Sequence, residues 1–228
     1  MSEPNVAAFF DPEDSGNVER LHPDLQPWVM DGPLGKMLNH PLVQDILFVS
    51  WKRANAQYEA KLSRVHEYLV EDRFEDAIWF YERPYRLSMV DEWVRQKRLS
   101  LERAGPLLAA VWIDTELPDE VLRQRRWVRL FRRVGFVSDG DARLDELPEH
   151  LTVYRGAENV DCPSWTTDLA VARWFAHRFR GPGAVFMALI PKAGVLAVLD
   201  GRGEHEVVVD PRLLQEIKEV TDGDVVQA

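Results

Sequence analysis

The chain has 228 residues, of which 46% are hydrophobic and 10% aromatic, and its formal net charge at pH 7 is −10. This length is enough for one large domain or two small ones, and this composition excludes a disordered chain. The acidic balance excludes the overall basicity that a general nucleic-acid-binding protein shows.

The N-terminal residues 1–33 contain five prolines, which interrupt any helix, and we expect an extended, partly ordered arm there. From about Pro41 the apolar residues recur at helical spacing. This spacing predicts a helix that continues to about Leu69. The first regular element of the chain is therefore expected to be helical.

Helical spacing of apolar residues continues over most of the next segment. It predicts three further helices, over 74–82, 88–103 and 105–113. Gly105-Pro106 separates the last two in this interpretation, because proline is tolerated in a first helical turn. A helix that opens at Pro118 and stops before Gly135 completes a mainly helical region over residues 1–136.

A polar, turn-rich stretch at 137–149 separates this region from a second one, 150–228, in which the periodicity shifts towards two. The pattern predicts strands over 151–155, 184–190, 195–199 and 204–209. It also predicts an amphipathic helix over 168–179, with Val171, Trp174, Phe175 and Phe179 on one side, and a short closing helix near 212–220. We therefore predict an α+β protein with a helical N-terminal part and a small β-rich C-terminal part.

The helix before Gly135 carries six arginines between its apolar residues: Arg123, Arg125, Arg126, Arg129, Arg132 and Arg133. The apolar residues fit one buried face, so the arginines are expected on a solvated side. Two interpretations stay open. The helix either pairs with acids of this same protein, or forms a docking surface at 119–134 for an acidic partner or nucleic acid.

Two carboxylates, Glu204 and Glu206, belong to the predicted strand at 204–209, just after a strong turn signal at 200–203. In a strand they would share one face about 6.5 to 7 Å apart, which lets each keep its own chemical role. The alternative is an exposed edge strand with protective charges. No second histidine follows His205 at the spacing of a zinc motif, so we assign no metal.

A hydroxyl cluster stands before the helix predicted over 168–179. We expect Thr166 or Thr167 to be the helix N-cap, whereas Ser164 is farther upstream and is available to hold a ligand. A helix start at this point would also favour binding of a diphosphate. Cys162, two residues before Ser164, is expected to pack rather than react.

Arg155 ends the predicted strand at 151–155 and is followed by Gly156, where the backbone can approach a ligand closely. Its guanidinium is suited to bidentate hydrogen bonds with a phosphate or carboxylate. An ordinary edge-strand arginine is the alternative interpretation. The functional interpretation gains weight when this motif is taken together with the hydroxyl cluster and the carboxylate pair.

In order, Tyr154-Arg155-Gly156, Ser164-Trp165-Thr166-Thr167 and Glu204-His205-Glu206 resemble the Arg–Ser–Glu signature of the ADP-ribosyltransferases, over about residues 151–211. The resemblance implies an enzyme that uses NAD as a substrate and cleaves its nicotinamide bond. It implies that Arg155 and Gly156 bind the NAD phosphate, and that Ser164 and Thr166 shape the nicotinamide-ribose site. It further implies that Glu206 is catalytic and that Glu204 engages the acceptor.

The chain departs from the family pattern at two places: only nine positions separate Arg155 from Ser164, and Trp165 interrupts the hydroxyl cluster. The resemblance implies mono-ADP-ribosylation of a macromolecule, with protein arginine as the best single expectation. Such activities occur among bacterial and phage toxins, modifiers and effectors. An NAD glycohydrolase and an inactive binding or regulatory protein on the same fold are the alternatives.

The sequence also predicts a compartment. Cys162 is the only cysteine, so no internal disulfide forms, which fits a reducing environment. The N-terminal segment lacks the charged start and apolar run of a signal peptide, and no stretch reaches the roughly 18 apolar residues of a membrane span. We therefore expect a cytoplasmic protein without membrane contact, while delivery as an effector stays open.

Overall fold

The computed structural model describes residues 16–115, 121–156, 159–178 and 183–220, and of residues 121–123 it describes the backbone alone. The chain divides into two compact units after Met89. This division precedes the predicted junction at 137–149, so the helices just before that junction belong with the C-terminal sheet. No helix in these ranges is both long enough and apolar enough to traverse a lipid bilayer.

The first unit contains a three-stranded antiparallel sheet that the sequence pattern did not predict, with its strands paired in chain order. The strands are β1 (Val29–Gly32), β2 (Gly35–His40) and β3 (Val43–Asp45). Of the predicted arm, residues 1–15 lie outside the described residues, while residues 16–33 contain two short 3-10 turns and β1. The sequence around these strands is polar and shows no clear alternation of apolar residues. Leu38 and Val43 are nevertheless buried once the strands are paired.

Helix α1 (Trp51–Val70) begins later than predicted, since the residues after Pro41 form β3 instead of a first helical turn. Ser50 is its N-cap, with the Ser50 hydroxyl accepting a hydrogen bond of 3.0 Å from the Arg53 backbone N–H. The helix predicted at 74–82 is present as the short α2 (Phe74–Ala77) followed by a 3-10 turn.

The predicted division between the next two helices is wrong. Helix α3 (Arg83–Arg95) is followed by a break and then by α4 (Leu101–Asp114), which contains Pro106 in its interior. Lys97 lies in the break with φ of +60°, a left-handed conformation that stops a helix. Ser100 then caps α4 through the Arg103 N–H, so the break precedes Gly105-Pro106.

Helix α5 (Val121–Val134) confirms the predicted stop, because Gly135 follows it with φ of +92°. The predicted helix start at 118–120 lies outside the described residues. Trp127, Leu130 and Phe131 are buried on one side of α5, as the apolar spacing predicts.

The second unit contains a seven-stranded mixed sheet, which confirms the predicted α+β class. Its strand order is β10-β7-β5-β6-β9-β8-β4, and every pair is antiparallel except β4 with β8. The strands are β4 (Val137–Ser138), β5 (His150–Gly156), β6 (Ser164–Thr166), β7 (Val185–Pro191), β8 (Val195–Leu199), β9 (Glu206–Val209) and β10 (Gln215–Glu219).

Two predictions at the C-terminal end are wrong. Residues near 212–220 form a 3-10 turn and then β10, because residues 215–219 pair with β7 rather than coil on themselves. Strand β9 starts at Glu206 and not at Glu204, since His205 has φ of +46° and leaves the extended conformation.

One face of the sheet carries an apolar core cluster, which includes Val153, Trp165, Ala188, Ile190 and Val207. Helix α6 (Leu169–Arg178) packs against β5. It buries Ala172 and Ala176, whereas Trp174, one of the large apolar residues predicted to share one side of the helix, is 57% exposed. Phe179 lies outside the described residues.

Candidate active site

Strands β6 and β9 bring the hydroxyl cluster and one carboxylate of the pair side by side. Thr166 is paired with Glu206, and Trp165 with Val207. Because side chains alternate along a strand, Ser164, Thr166 and Glu206 share one face while Trp165 enters the core on the other. The aromatic residue that interrupts the cluster is therefore a core residue, and its indole N–H donates to the Cys162 carbonyl at 2.8 Å.

Glu206 is 7% exposed, and two donors converge on one of its oxygens. The Ser164 hydroxyl donates to Oε1 at 2.5 Å, and the Trp112 indole N–H donates to the same atom at 3.0 Å. Burial raises the pKa of Glu206, and these two hydrogen bonds and the charge of Arg202 act in the opposite direction. The carboxylate is buried and held in one orientation.

Trp112 is a site residue that the sequence pattern does not reveal. It lies in α4, 94 residues before Glu206, and the local pattern around it is that of an ordinary apolar helix. A buried tryptophan usually has a partner for its N–H, but nothing in the sequence names that partner.

A shallow cleft beside Glu206 spans about 150 Å³ when open solvent is included, and it encloses no space for a water-sized molecule. Its walls are formed by Ile113, Leu199, Gly201, Arg202, Glu204 and Glu206. Glu204 precedes β9, so the strand spacing predicted between the two carboxylates does not apply. Both carboxylates nevertheless line the same cleft, with Arg202 Nε 3.6 Å from Glu204 Oε2.

The turn that carries Arg202 and Glu204 is tied to the rest of this unit. The Asp139 carboxylate accepts hydrogen bonds from the Asp200 and Gly201 backbone N–H groups at 2.8 and 2.7 Å. At the other end, the Thr166 hydroxyl donates to the Glu204 carbonyl at 2.7 Å. These contacts give the cleft wall a defined position.

The predicted N-cap of α6 is wrong. Asp168 Oδ1 accepts from the Ala170 N–H at 2.6 Å and from the Val171 N–H at 3.4 Å, so the aspartate is the cap. Thr166 instead accepts from the Asp168 N–H while it holds Glu204. Both residue types favour helix starts, and the strand pairing of Thr166 decides between them.

Arg155 does not line the cleft with Glu206. Its strand neighbour Tyr154 is paired with Thr166 and shares the face of Glu206, so Arg155 points to the other face. The guanidinium donates to the Ser164 carbonyl at 2.6 Å and to the Asn159 carbonyl at 2.8 Å. The structure therefore brings Arg155 to the backbone of Ser164 and not to the carboxylates.

Gly156 has a packing explanation in the structure. A Cβ atom built at this position would lie 1.8 Å from the Ala172 carbonyl oxygen of α6. Only glycine permits this close approach of helix and strand. A contact between Gly156 and a cofactor stays a prediction.

Three arginines of α5 are engaged with acids of the same unit. Arg126 and Arg129 lie 3.5 and 3.4 Å from Asp91 Oδ2, and Arg132 Nε lies 2.8 Å from Asp210 Oδ2. These pairs agree with the first interpretation of the helix. Docking of an acidic partner stays a prediction, and the side chain of Arg123 lies outside the described residues.

Within the ranges that the structure describes, no group of three or more His, Cys, Asp or Glu residues is arranged to hold a metal ion. Comparison of the chain with protein-family models, curated proteins and solved structures found no match. A functional proposal for this protein therefore depends on the geometry around Glu206 and on the motifs that form it.

Proposed function

We propose that the protein is an NAD-dependent mono-ADP-ribosyltransferase whose reaction centre is Glu206 with Ser164. The observation that carries this proposal is the 2.5 Å hydrogen bond from the Ser164 hydroxyl to Glu206 Oε1. It joins two of the three motifs that resemble the family, from positions 42 residues apart in the chain. Glu204, the other carboxylate of the signature, lines the same cleft.

In the proposed reaction the bond between ribose C1′ and the nicotinamide nitrogen breaks, and nicotinamide leaves with the electron pair. Positive charge develops on the ribose, and a fixed carboxylate stabilises that charge more in the transition state than in the ground state. Within the described part of the chain, Glu206 Oε2 receives no hydrogen bond. This oxygen is the one that we assign to a ribose hydroxyl.

Glu204 is the residue that we assign to the acceptor. Its side chain is 26% exposed, more accessible than Glu206, and it borders the cleft from the turn before β9. A carboxylate there attracts a guanidinium and accepts the proton that the acceptor nitrogen loses as it bonds to C1′. Protein arginine is therefore the acceptor that we propose.

Two features limit how much of NAD this cleft holds. It encloses no space for a water-sized molecule, far below the roughly 300–1,000 Å³ of complete small-molecule sites, so we place the reacting ribose at its open mouth and no other part of NAD within it. Arg155 has a changed role in the proposal. Its contact with the Ser164 carbonyl makes it a positioning residue rather than a phosphate ligand.

The substitution Glu206→Gln tests the proposal, because the amide keeps the shape of the side chain and removes its charge. We expect NAD consumption to fall by about 100-fold or more. The assay uses NAD labelled on the adenylate part, purified protein and a cell lysate as the source of acceptors. Label on a macromolecule supports transfer, and equal NAD consumption by the wild type and the variant would refute the assignment.

Glu204→Gln is the matched variant for the acceptor role. We expect it to lose transfer to protein while it still releases nicotinamide, since Glu206 and Ser164 are unchanged. Free ADP-ribose as the sole product of the wild type would indicate an NAD glycohydrolase instead.

The small cleft and the engagement of Arg155 with backbone carbonyls favour a second candidate, a binding or regulatory protein without activity. This candidate predicts that NAD raises the melting temperature of the protein without being consumed, since a ligand specific for the native state stabilises it. If NAD is not consumed and also causes no thermal shift, both candidates are excluded.

A further inference from the structure

We propose that Trp112 is a positioning residue for Glu206: its indole N–H and the Ser164 hydroxyl together hold Oε1, so that Oε2 is presented to the cleft. The reaction assigned to Glu206 rests on the proposed function, but the positioning itself does not. The two donor distances are 3.0 Å from Trp112 Nε1 and 2.5 Å from Ser164 Oγ.

The indole is held by close packing in addition to its hydrogen bond. Trp112 is 1% exposed, and its ring meets those of Trp127 and Phe131 edge-to-face, with centroids 5.0 and 5.7 Å away. Both partner rings come from α5, whereas Trp112 comes from α4. A donor that is fixed by its neighbours needs little reorganisation when charge develops beside it.

The hydrogen bond has a chemical consequence for the carboxylate. A buried carboxylate favours its protonated form unless donors stabilise the charge, and Trp112 is one of the two donors that do so at Glu206. The indole N–H is a donor only, so it cannot accept a hydrogen bond from the O–H of a neutral carboxyl group. Trp112 therefore favours the ionised, oriented form of Glu206 that charge stabilisation requires.

The aromatic cluster offers a matched pair of variants. Trp112→Phe keeps an aromatic ring and removes the N–H, and Trp127→Phe makes the same chemical change in the next ring. Trp127 Nε1 is buried and has no hydrogen-bond partner in the described part of the chain. Both variants replace a buried indole by a phenyl ring and so lose the same volume. Only Trp112→Phe also loses the hydrogen bond to Glu206.

The first measurement is the titration of the Glu206 carboxyl carbon by NMR in protein labelled with ¹³C-glutamate, with Glu206→Gln used to assign the signal. We expect Trp112→Phe to raise the midpoint by about one pH unit, a tenfold change in the protonation equilibrium. Trp127→Phe keeps an aromatic ring beside Trp112 and leaves the hydrogen bond in place, so we expect it to shift the midpoint much less. An unchanged midpoint in Trp112→Phe, or an equal shift in both variants, would overturn the proposal.

The second measurement is the pH dependence of NAD consumption. Trp112→Phe is expected to lower kcat about tenfold at pH values below the Glu206 midpoint, with recovery as the pH rises above it and with little change in KM. If neither the wild type nor any variant consumes NAD, the proposed function is refuted. The titration of the Glu206 carboxyl group then still tests the role of Trp112.

Discussion

At the scale of single residues, the chemical role that we propose for Glu206 comes with a cost in stability. Its carboxylate is removed from water on the face of the sheet opposite the apolar core, and burial is the largest influence on its pKa, which is raised. The donors Ser164 and Trp112 offset part of that effect. A buried ionisable group of this kind is a recognised feature of functional sites.

The raised pKa gives a prediction about stability. The folded state holds the proton more tightly than the unfolded chain, whose value is near 4.5, so wild-type stability is complete below that pH and falls as pH rises through the raised pKa. We therefore expect Glu206→Gln to melt at a higher temperature than the wild type at about pH 8, and at a similar temperature below about pH 4.5.

Thermal melts of both proteins at the two pH values provide the measurement. Glu204→Gln is the control, and we expect only a small change at either pH because that side chain is partly exposed and its contact with Arg202 is 3.6 Å. A stability difference between wild type and Glu206→Gln that is the same at both pH values would contradict this account.

At the scale of elements, the start of α6 depends on one side chain. Asp168 Oδ1 accepts from two backbone N–H groups of the first helical turn, and its charge interacts favourably with the helix N-terminus. We expect Asp168→Ala to lower the free energy of unfolding by about 1 kcal/mol, measured by urea denaturation. Thr167→Ala, at the neighbouring exposed position, is expected to change it by less than about 0.5 kcal/mol.

Equal losses in both variants would mean that the threonine shares the capping role. The distinction matters for the site, because the N-cap and the cleft use neighbouring residues of one short segment. Thr166 holds the carbonyl of Glu204, so its hydroxyl is already engaged and Asp168 is left to cap the helix.

At the scale of the whole molecule, Asp210 connects parts of the second unit that are distant in the sequence. It is 1% exposed and accepts hydrogen bonds from Arg132 of α5, 78 residues earlier, and from Arg212. Arg212 first and then Arg132 lower the pKa of Asp210 to about 2, against the effect of burial. The carboxylate thus links the arginine-rich helix to the end of β9.

We expect Asp210→Asn to destabilise the protein by about 1–3 kcal/mol in urea denaturation near neutral pH, since it removes the buried negative charge and one of the two acceptor oxygens that Arg132 and Arg212 share. The wild-type contribution is present above pH 3.8 and is lost as pH falls towards about 2, so the difference between the two proteins should shrink over that range. Asp145→Asn, in an exposed pair with Arg143, is the control and should have almost no effect. Equal effects of the two substitutions would contradict the link.

Periodicity along the chain was sufficient for several elements. The strands at 151–155 and 195–199, the helix after Asp168 and the stop at Gly135 are present because their patterns depend on neighbouring residues alone. It was not sufficient for β1–β3 or β10, which are polar or short and exist through pairing with another strand. Propensity at such positions is weaker than the effect of a paired neighbour.

The same distinction applies to the candidate site. The sequence by itself determined the α+β class and the presence of Ser164 and Glu206 in motifs able to meet, since both belong to locally recognisable segments. Only the tertiary structure decided that they touch, that Arg155 faces away, and that Trp112 completes the contact. The physical reason is that strand register and helix packing bring together residues that are far apart in the chain. The pattern of neighbouring residues does not specify the register or the packing.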